Sequence, residues 1–262
     1  MILERIVASK HAEVTRLRAE GEPAGLPRSP RMDVCAMLAR PPGAPLRILA
    51  EFKRRSPSAG ELSSAMSLSE RLRVYARAGA SLVSVLCDAP FFGGSFDDLE
   101  RARGVIDGAG RPIPLLAKEF IVDPVQLRHA ARLGADAALL IVRIVSPEQL
   151  AILAAASREC GLEPLVEVAN EDELRIALQT DARLIGVNAR DLDTLRMDPV
   201  RASQLVAAVP PDRIAIHLSG LKTEDDVRAI AGGRADAALV GEILMRQDDP
   251  SDLLTRLVGA AG

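Results

Sequence analysis

Four ionisable side chains of this sequence stand where proton-transfer chemistry could be run. Glu51 and Lys53 are two residues apart in an apolar run, so strand alternation puts both on one face. Lys118 closes a second apolar run, and Glu167 lies between Val166 and Val168 in a third. A charge buried there is expensive unless it is paired or working. Ammonium and carboxylate groups gathered away from water shift one another's proton affinity, which suits them to general acid and base catalysis, although a Glu-Lys pair can also serve packing alone. Asn188 and Arg190 end a further run, and Ser219, Gly220 and Gly241 are small residues whose backbone N–H groups could approach a phosphate closely, or could simply make turns.

Such groups act together only if the chain brings them to one place. Short apolar runs predict strands at 46–52, 82–86, 114–117, 137–142, 164–168, 184–187, 214–218 and 237–240. Amphipathic segments beginning near Ser67, Asp97, Pro124, Pro147, Glu171, Pro199, Glu224 and Pro250 separate them, several with Pro or a capping residue at the start. Eight βα units in about 215 residues predict an α/β protein of the (β/α)8 TIM barrel type. A doubly wound open sheet is the alternative, but Lys53 to Ser58 is unlike the Gly-rich turn that such a sheet carries after its first strand. In a barrel the reactive groups project from the C-terminal strand ends. Those ends read Glu51 and Lys53, Cys87 and Asp88, Lys118 and Glu119, Arg143, Glu167, Asn188 and Arg190, Ser219 and Gly220, Gly241 and Glu242. Ahead of the barrel, Ile2, Leu3, Ile6, Val7, Val14 and Leu17 form a helix-like stripe, followed by a Pro/Gly-rich stretch over 21–45. The expected organisation is one domain: a helical extension and linker over 1–45 packed on a barrel over 46–262.

The 262 residues carry 33 basic and 36 acidic side chains, a formal net charge of −3. That balance argues against a nucleic-acid partner held through its phosphates. Aromatics make up 2%, so base-stacking platforms are scarce as well. No apolar run approaches the roughly 20 residues that a membrane span needs, and Glu4 and Arg5 occupy the place of a signal peptide's apolar stretch. A cytoplasmic location is therefore expected, with a monomer as the default. Cys35, Cys87 and Cys160 form no CxxC pair, and His11, His129 and His217 show no ligand spacing, so neither a metal nor a coenzyme is expected.

At these residues the sequence resembles the indole-3-glycerol phosphate synthase family over nearly its whole length. The resemblance runs through Ile-Leu-Ala-Glu-Phe-Lys-Arg-Arg-Ser-Pro-Ser (48–58), Phe-Phe-Gly-Gly-Ser-Phe-Asp-Asp-Leu (91–99) and Leu-Ala-Lys-Glu-Phe-Ile-Val-Asp-Pro (116–124). It continues through Leu-Val-Glu-Val (165–168), Ile-Gly-Val-Asn-Ala-Arg-Asp-Leu (185–192), Leu-Ser-Gly-Leu-Lys-Thr (218–223) and Leu-Val-Gly-Glu-Ile-Leu-Met (239–245). It implies a barrel with an added N-terminal helical segment and a cofactor-free carboxy-lyase of tryptophan biosynthesis. The substrate would be 1-(2-carboxyphenylamino)-1-deoxyribulose 5-phosphate, closed to indole-3-glycerol phosphate with loss of carbon dioxide and water. Lys118 is then the expected general acid at the carbonyl, Lys53 a cation near the carboxylate and the leaving hydroxyl, Glu167 the acid/base for later transfers and Glu51 an orienting carboxylate. Ser56, Asn188 and Arg190 become substrate-binding groups, with Ser219, Gly220 and Gly241 as the phosphate cradle.

Two positions depart from that pattern. The exit of the seventh strand usually reads Glu-Ser-Gly in the family, whereas here it reads Leu218-Ser219-Gly220, and Glu119 stands where Asp is common. His217 does not simply stand in for the missing carboxylate, because neighbouring strand residues face opposite sides unless a bulge re-aims one of them, and it is expected to pack against the surrounding helices. Two readings follow: a working synthase that tolerates Leu218, or a diverged paralogue with weak or lost turnover that binds a phosphosugar or acts on a related aminodeoxyribulose phosphate. All six aromatics fall between Phe52 and Phe120. Phe92 and Phe120 border the expected mouth, as an apolar wall for an aromatic ring would require, while Phe96 and Tyr75 are expected to serve ordinary packing.

Overall fold

A computed structural model describes residues 2–21, 32–192 and 194–262. Part of the Pro/Gly-rich linker, 22–31, lies outside the described residues. Eight parallel strands, β1 (Arg47–Phe52), β2 (Leu82–Leu86), β3 (Leu115–Lys118), β4 (Ala137–Ile141), β5 (Glu163–Val168), β6 (Leu184–Val187), β7 (Ile214–His217) and β8 (Ala237–Val240), pair in sequence order, and β1 closes the ring against β8. Each strand boundary lies within one residue of its sequence expectation. The helices start where capping chemistry put them. Ser67 and Asp123 make reciprocal capping boxes with Glu70 and Gln126, and Pro occupies the first turn at 124, 147 and 199.

Alternation along the strands sorts their apolar residues between two cores. Leu49, Leu82, Leu116, Leu139, Leu165, Leu184, Ile216 and Leu239 fill the barrel interior, while Ala50, Val83, Ala117, Val166, Ile185 and Val240 face the surrounding helices. The same period carries Glu51, Lys118, Glu167, Asn188 and Gly241 inward at the C-terminal ends, above the apolar interior.

A similar phrase precedes three of the strands, Ala-Gly-Ala-Ser (78–81), Leu-Gly-Ala-Asp (133–136) and the variant Arg-Ala-Asp (234–236), and each end of it has a physical role. Gly79 and Gly134 take φ of +98° and +96°, the left-handed turn that returns a helix to a strand. Asp136 accepts from Leu115 N and from Arg103, both at 2.9 Å, and Asp236 likewise accepts from Ala215 N at 2.8 Å and from Arg234 at 2.6 Å. The aspartate that ends two of these phrases thus ties its own strand entry to the strand before it.

Both ends of the barrel are covered from the N-terminal segment. Helix α1 (Ile2–Glu20) lies over the C-terminal mouth, with Leu3 and Ile6 joining the interior core. The short helix Val34–Leu38 buries Val34, Cys35 and Leu38 at the opposite end, where Arg183 lies 3.8 Å from Asp33. Several short elements had no periodic signal in the sequence: a hairpin of Arg55–Ser56 with Gly60–Glu61, and one-turn helices at Ala89–Phe92 and Glu242–Met245. Runs of two to four residues are too brief to show a helical or strand period. No helix among the described residues is long and apolar enough to cross a membrane.

Candidate active site

The C-terminal ends of the strands enclose one pocket beneath α1. It is lined by each of the twelve expected site residues: Glu51, Lys53, Ser56, Phe92, Lys118, Phe120, Glu167, Asn188, Arg190, Ser219, Gly220 and Gly241. Two lysine–glutamate pairs lie within it. Lys53 Nζ donates to Glu51 Oε1 at 2.6 Å, and Lys118 Nζ stands 3.7 Å from Glu167 Oε2. Burial alone would raise the Glu51 carboxyl, but the ammonium groups of Lys53 and Lys118 outweigh it and hold that carboxyl below its ordinary range. The Tyr75 hydroxyl, expected only to pack, donates to the Glu51 carbonyl at 3.1 Å and so supports this strand end from behind.

Glu167 is oriented by a relay of polar groups. Asn188 Nδ2 donates to Glu167 Oε1 at 2.9 Å, and Ser219 Oγ donates to Asn188 Oδ1 at 2.7 Å. Arg190 N also donates to Asn188 Oδ1 at 2.9 Å, which fixes the amide with its nitrogen toward the glutamate. Glu167 Oε2, turned toward Lys118, accepts no hydrogen bond within the described residues and is available to an incoming group. The arrangement offers a proton donor and a proton acceptor 3.7 Å apart in a largely desolvated setting, which is what general acid/base exchange on one substrate requires.

The small residues sit where any side chain would intrude. A Cβ on Gly220, at φ +93°, would come within 2.6 Å of Met197 Cε, and one on Gly241 would come within 2.5 Å of Glu51 Oε1. On the opposite wall the rings of Phe92 and Phe120 stand 5.9 Å apart, tilted by 33°. Phe96 instead packs on His129, and Phe91 lies under the Arg5 guanidinium.

Three residues read as part of the rim do not line the pocket. Cys87 points outward into the core under the helices, because alternation from Leu86 turns it away. Asp88 is fully buried beside Lys10, and Arg143 is bound to Glu173 at 2.8 Å and Asp191 at 3.0 Å. Leu218 faces inward against Gly186 and Leu165, whereas His217 is buried on the outer side. Burial holds the His217 imidazole below its ordinary range, so it stays neutral. Glu119 and Glu242, read as part of the rim, line the pocket as well, and Ile2, Leu3 and Ile6 of α1, together with Lys222, line it without having been anticipated as site residues. The apolar stripe of α1 was visible in the sequence, but not the surface it covers.

A closed (β/α)8 barrel that gathers lysine–glutamate pairs at its C-terminal mouth defines an acid/base enzyme of the barrel class. The comparisons with known proteins narrow that class. The family model described as Indole-3-glycerol phosphate synthase matches residues 3–257, and the chain belongs to that family. It is 41% identical to Indole-3-glycerol phosphate synthase 2 of Streptomyces coelicolor, covering 98% of this chain and 99% of that one. It is 40% identical to the synthase of a Roseiflexus species over 99% of each chain. Among solved structures, 3-hexulose-6-phosphate synthase from Salmonella typhimurium aligns with a TM-score of 0.64 at 13% identity, covering 82% of this chain and 98% of that one. Thiamine phosphate pyrophosphorylase from Pyrococcus furiosus aligns at 0.60 and 14%, over 82% and 95%. These two likenesses concern the fold alone.

Proposed function

We propose that this chain is an indole-3-glycerol phosphate synthase, acting in the cytoplasm as a monomer on 1-(2-carboxyphenylamino)-1-deoxyribulose 5-phosphate. The observation that carries this reading is the pair Lys118–Glu167 sharing one pocket with Lys53–Glu51 in a chain of that family. In the first step the ring carbon bearing the carboxylate attacks the ketone carbon, and Lys118 gives its proton to the carbonyl oxygen, which becomes a hydroxyl. Carbon dioxide then leaves, and the electrons of its carbon–carbon bond return to the ring. In the second step Lys53 gives its proton to the hydroxyl, which departs as water, while Glu167 takes the proton given up by the neighbouring CH₂ carbon. Glu51 holds Lys53 in place through its 2.6 Å bond.

Ser219, Gly220 and Gly241 receive the phosphate, Ser56, Asn188 and Arg190 the sugar chain and carboxylate, and Phe92 and Phe120 the ring. The segment 1–45 and the barrel over 46–262 work as one domain, since Ile2, Leu3 and Ile6 wall the same pocket. Leu218 leaves the two lysines, Glu167 and the Asn188–Ser219 relay in place, and turnover by those groups is the expected result. The test is direct: purified protein is incubated with the substrate and indole fluorescence is followed. A signal proportional to enzyme supports the assignment, and none at high enzyme concentration refutes it.

A further inference from the structure

The aromatic side of the pocket is held from behind by a cluster that takes no part in the chemistry above. Lys10 of α1 is fully buried. Its Nζ lies 2.8 Å from Asp88 Oδ2, 2.8 Å from Glu119 Oε1 and 3.0 Å from Glu13 Oε2. Asp88 follows β2, Glu119 follows β3 and Glu13 is on α1, so one ammonium joins three elements distant in sequence.

Each carboxylate also holds backbone next to the pocket. Asp88 Oδ1 accepts from Phe91 N at 2.7 Å and from Phe92 N at 3.1 Å. Glu119 Oε1 accepts from Phe120 N at 2.6 Å. Glu13 Oε1 accepts from Gln126 Nε2, which donates to the Phe120 carbonyl as well, at 3.1 and 3.2 Å. Lys10 sits one turn beyond Ile6 and two beyond Leu3, so the face that brings its ammonium to the barrel also brings those side chains over the mouth. Burial opposes the charge on Lys10, and Glu119, Glu13 and Asp88 more than restore it, so the ammonium remains a cation.

We propose that Lys10 is a positioning residue for the ring-binding side of the pocket, holding Phe92, Phe120 and the Ile2, Leu3 and Ile6 face of α1 in register around the substrate's aromatic ring. The identity of that ring rests on the proposed function, whereas the register of the walls can be read without any substrate. Removing the ammonium leaves three carboxylates crowded together. Asp88 and Glu119 must then turn toward water or take up protons, and the amides of Phe92 and Phe120 lose their acceptors as α1 loses its anchor.

The experiment compares wild type with Lys10→Met and with the milder Lys10→Gln, which keeps an N–H donor should the first variant fail to fold. Steady-state indole formation is expected to show KM raised about tenfold, the scale of one lost apolar contact in a pocket, with kcat kept within about threefold because Lys53, Lys118 and Glu167 are untouched. Hydrogen exchange at the Phe92 and Phe120 amides is expected to accelerate in the absence of substrate. A role in folding alone would lower the melting temperature and leave KM and those two amides unchanged, which overturns the proposal. Faster exchange with an unchanged KM overturns it as well. Wild type that turns over nothing would refute the proposed function, and the exchange measurement would still report on Lys10.

Discussion

Gly241→Ala places one methyl group where no substrate chemistry occurs, yet a large loss of rate is expected. The added Cβ would lie 2.5 Å from Glu51 Oε1, 3.0 Å from Glu51 Cβ and 3.1 Å from Glu51 Cδ. Contact with the root of the side chain as well as its tip means that rotating the carboxylate cannot relieve the clash. To regain an ordinary separation of about 3.4 Å the oxygen must retreat by about 0.9 Å. The Lys53–Glu51 bond, 2.6 Å in the native chain, then opens to roughly 3.5 Å and no longer fixes the ammonium. A misplacement of about 1 Å costs on the order of 10²-fold in rate, or about 2.7 kcal/mol of barrier. The strain itself should cost about 1–3 kcal/mol of stability. Steady-state kinetics by indole fluorescence, with a urea melt alongside, measure both. Glu51→Gln should reproduce the kcat loss with the glycine in place. If Gly241→Ala raises KM but leaves kcat unchanged, the methyl disturbs only phosphate binding and the displacement of Glu51 is refuted.

Lys118→Met is expected to lower kcat by about 10²–10⁴-fold, the usual worth of a positioned proton donor, with the melting temperature nearly unchanged; retention of wild-type turnover removes the general-acid role. Glu119 is raised to about 7, burial outweighing the attraction of Lys10. The folded chain therefore binds that proton more tightly than the unfolded one, and the stability it confers at low pH is lost as pH climbs through about 7. Melting curves from pH 5 to pH 8 should show this decline in wild type and a flatter profile in Glu119→Gln, and equal slopes would contradict it. Arg103→Met should cost about 3–5 kcal/mol in urea unfolding, because the Asp136 side chain, only 1% exposed, loses its 2.9 Å pairing with Arg103; a loss under about 1 kcal/mol would show that pair to be idle. Leu218→Glu installs the carboxylate that the sequence resemblance leads one to expect at the β7 exit, and turnover is expected to rise; unchanged or lower turnover would show a barrel adapted to the apolar side chain.

Much of the fold was legible because its signals are local. Strand runs such as 82–86 and 184–187, caps such as Ser67 and Asp123, and glycine turns such as Gly79 and Gly134 each act within a few residues, and their positions agree with the structure. Lys118 and Glu167 were placed by their positions at strand ends, whereas the shared face of Glu51 and Lys53 followed from a period of two, and so did the opposite facing of His217 and Leu218. The same rule applied to Cys87 would have removed it from the rim, since Leu86 before it faces the pocket.

Residue type and alternation were thus enough to determine the barrel, its strand ends and the lysines, glutamates and small residues that meet there. The tertiary structure alone decided what closes that mouth and what holds its walls. Lys10 is one charge among many along an amphipathic helix, and nothing within its own turn distinguishes it from an exposed lysine. Its partners Asp88 and Glu119 lie far along the chain, and only the docking of α1 across the barrel makes one desolvated cluster of them. Local pattern reports which face of an element is apolar, whereas the partner of that face depends on contacts that close long loops, and no short stretch of sequence encodes them.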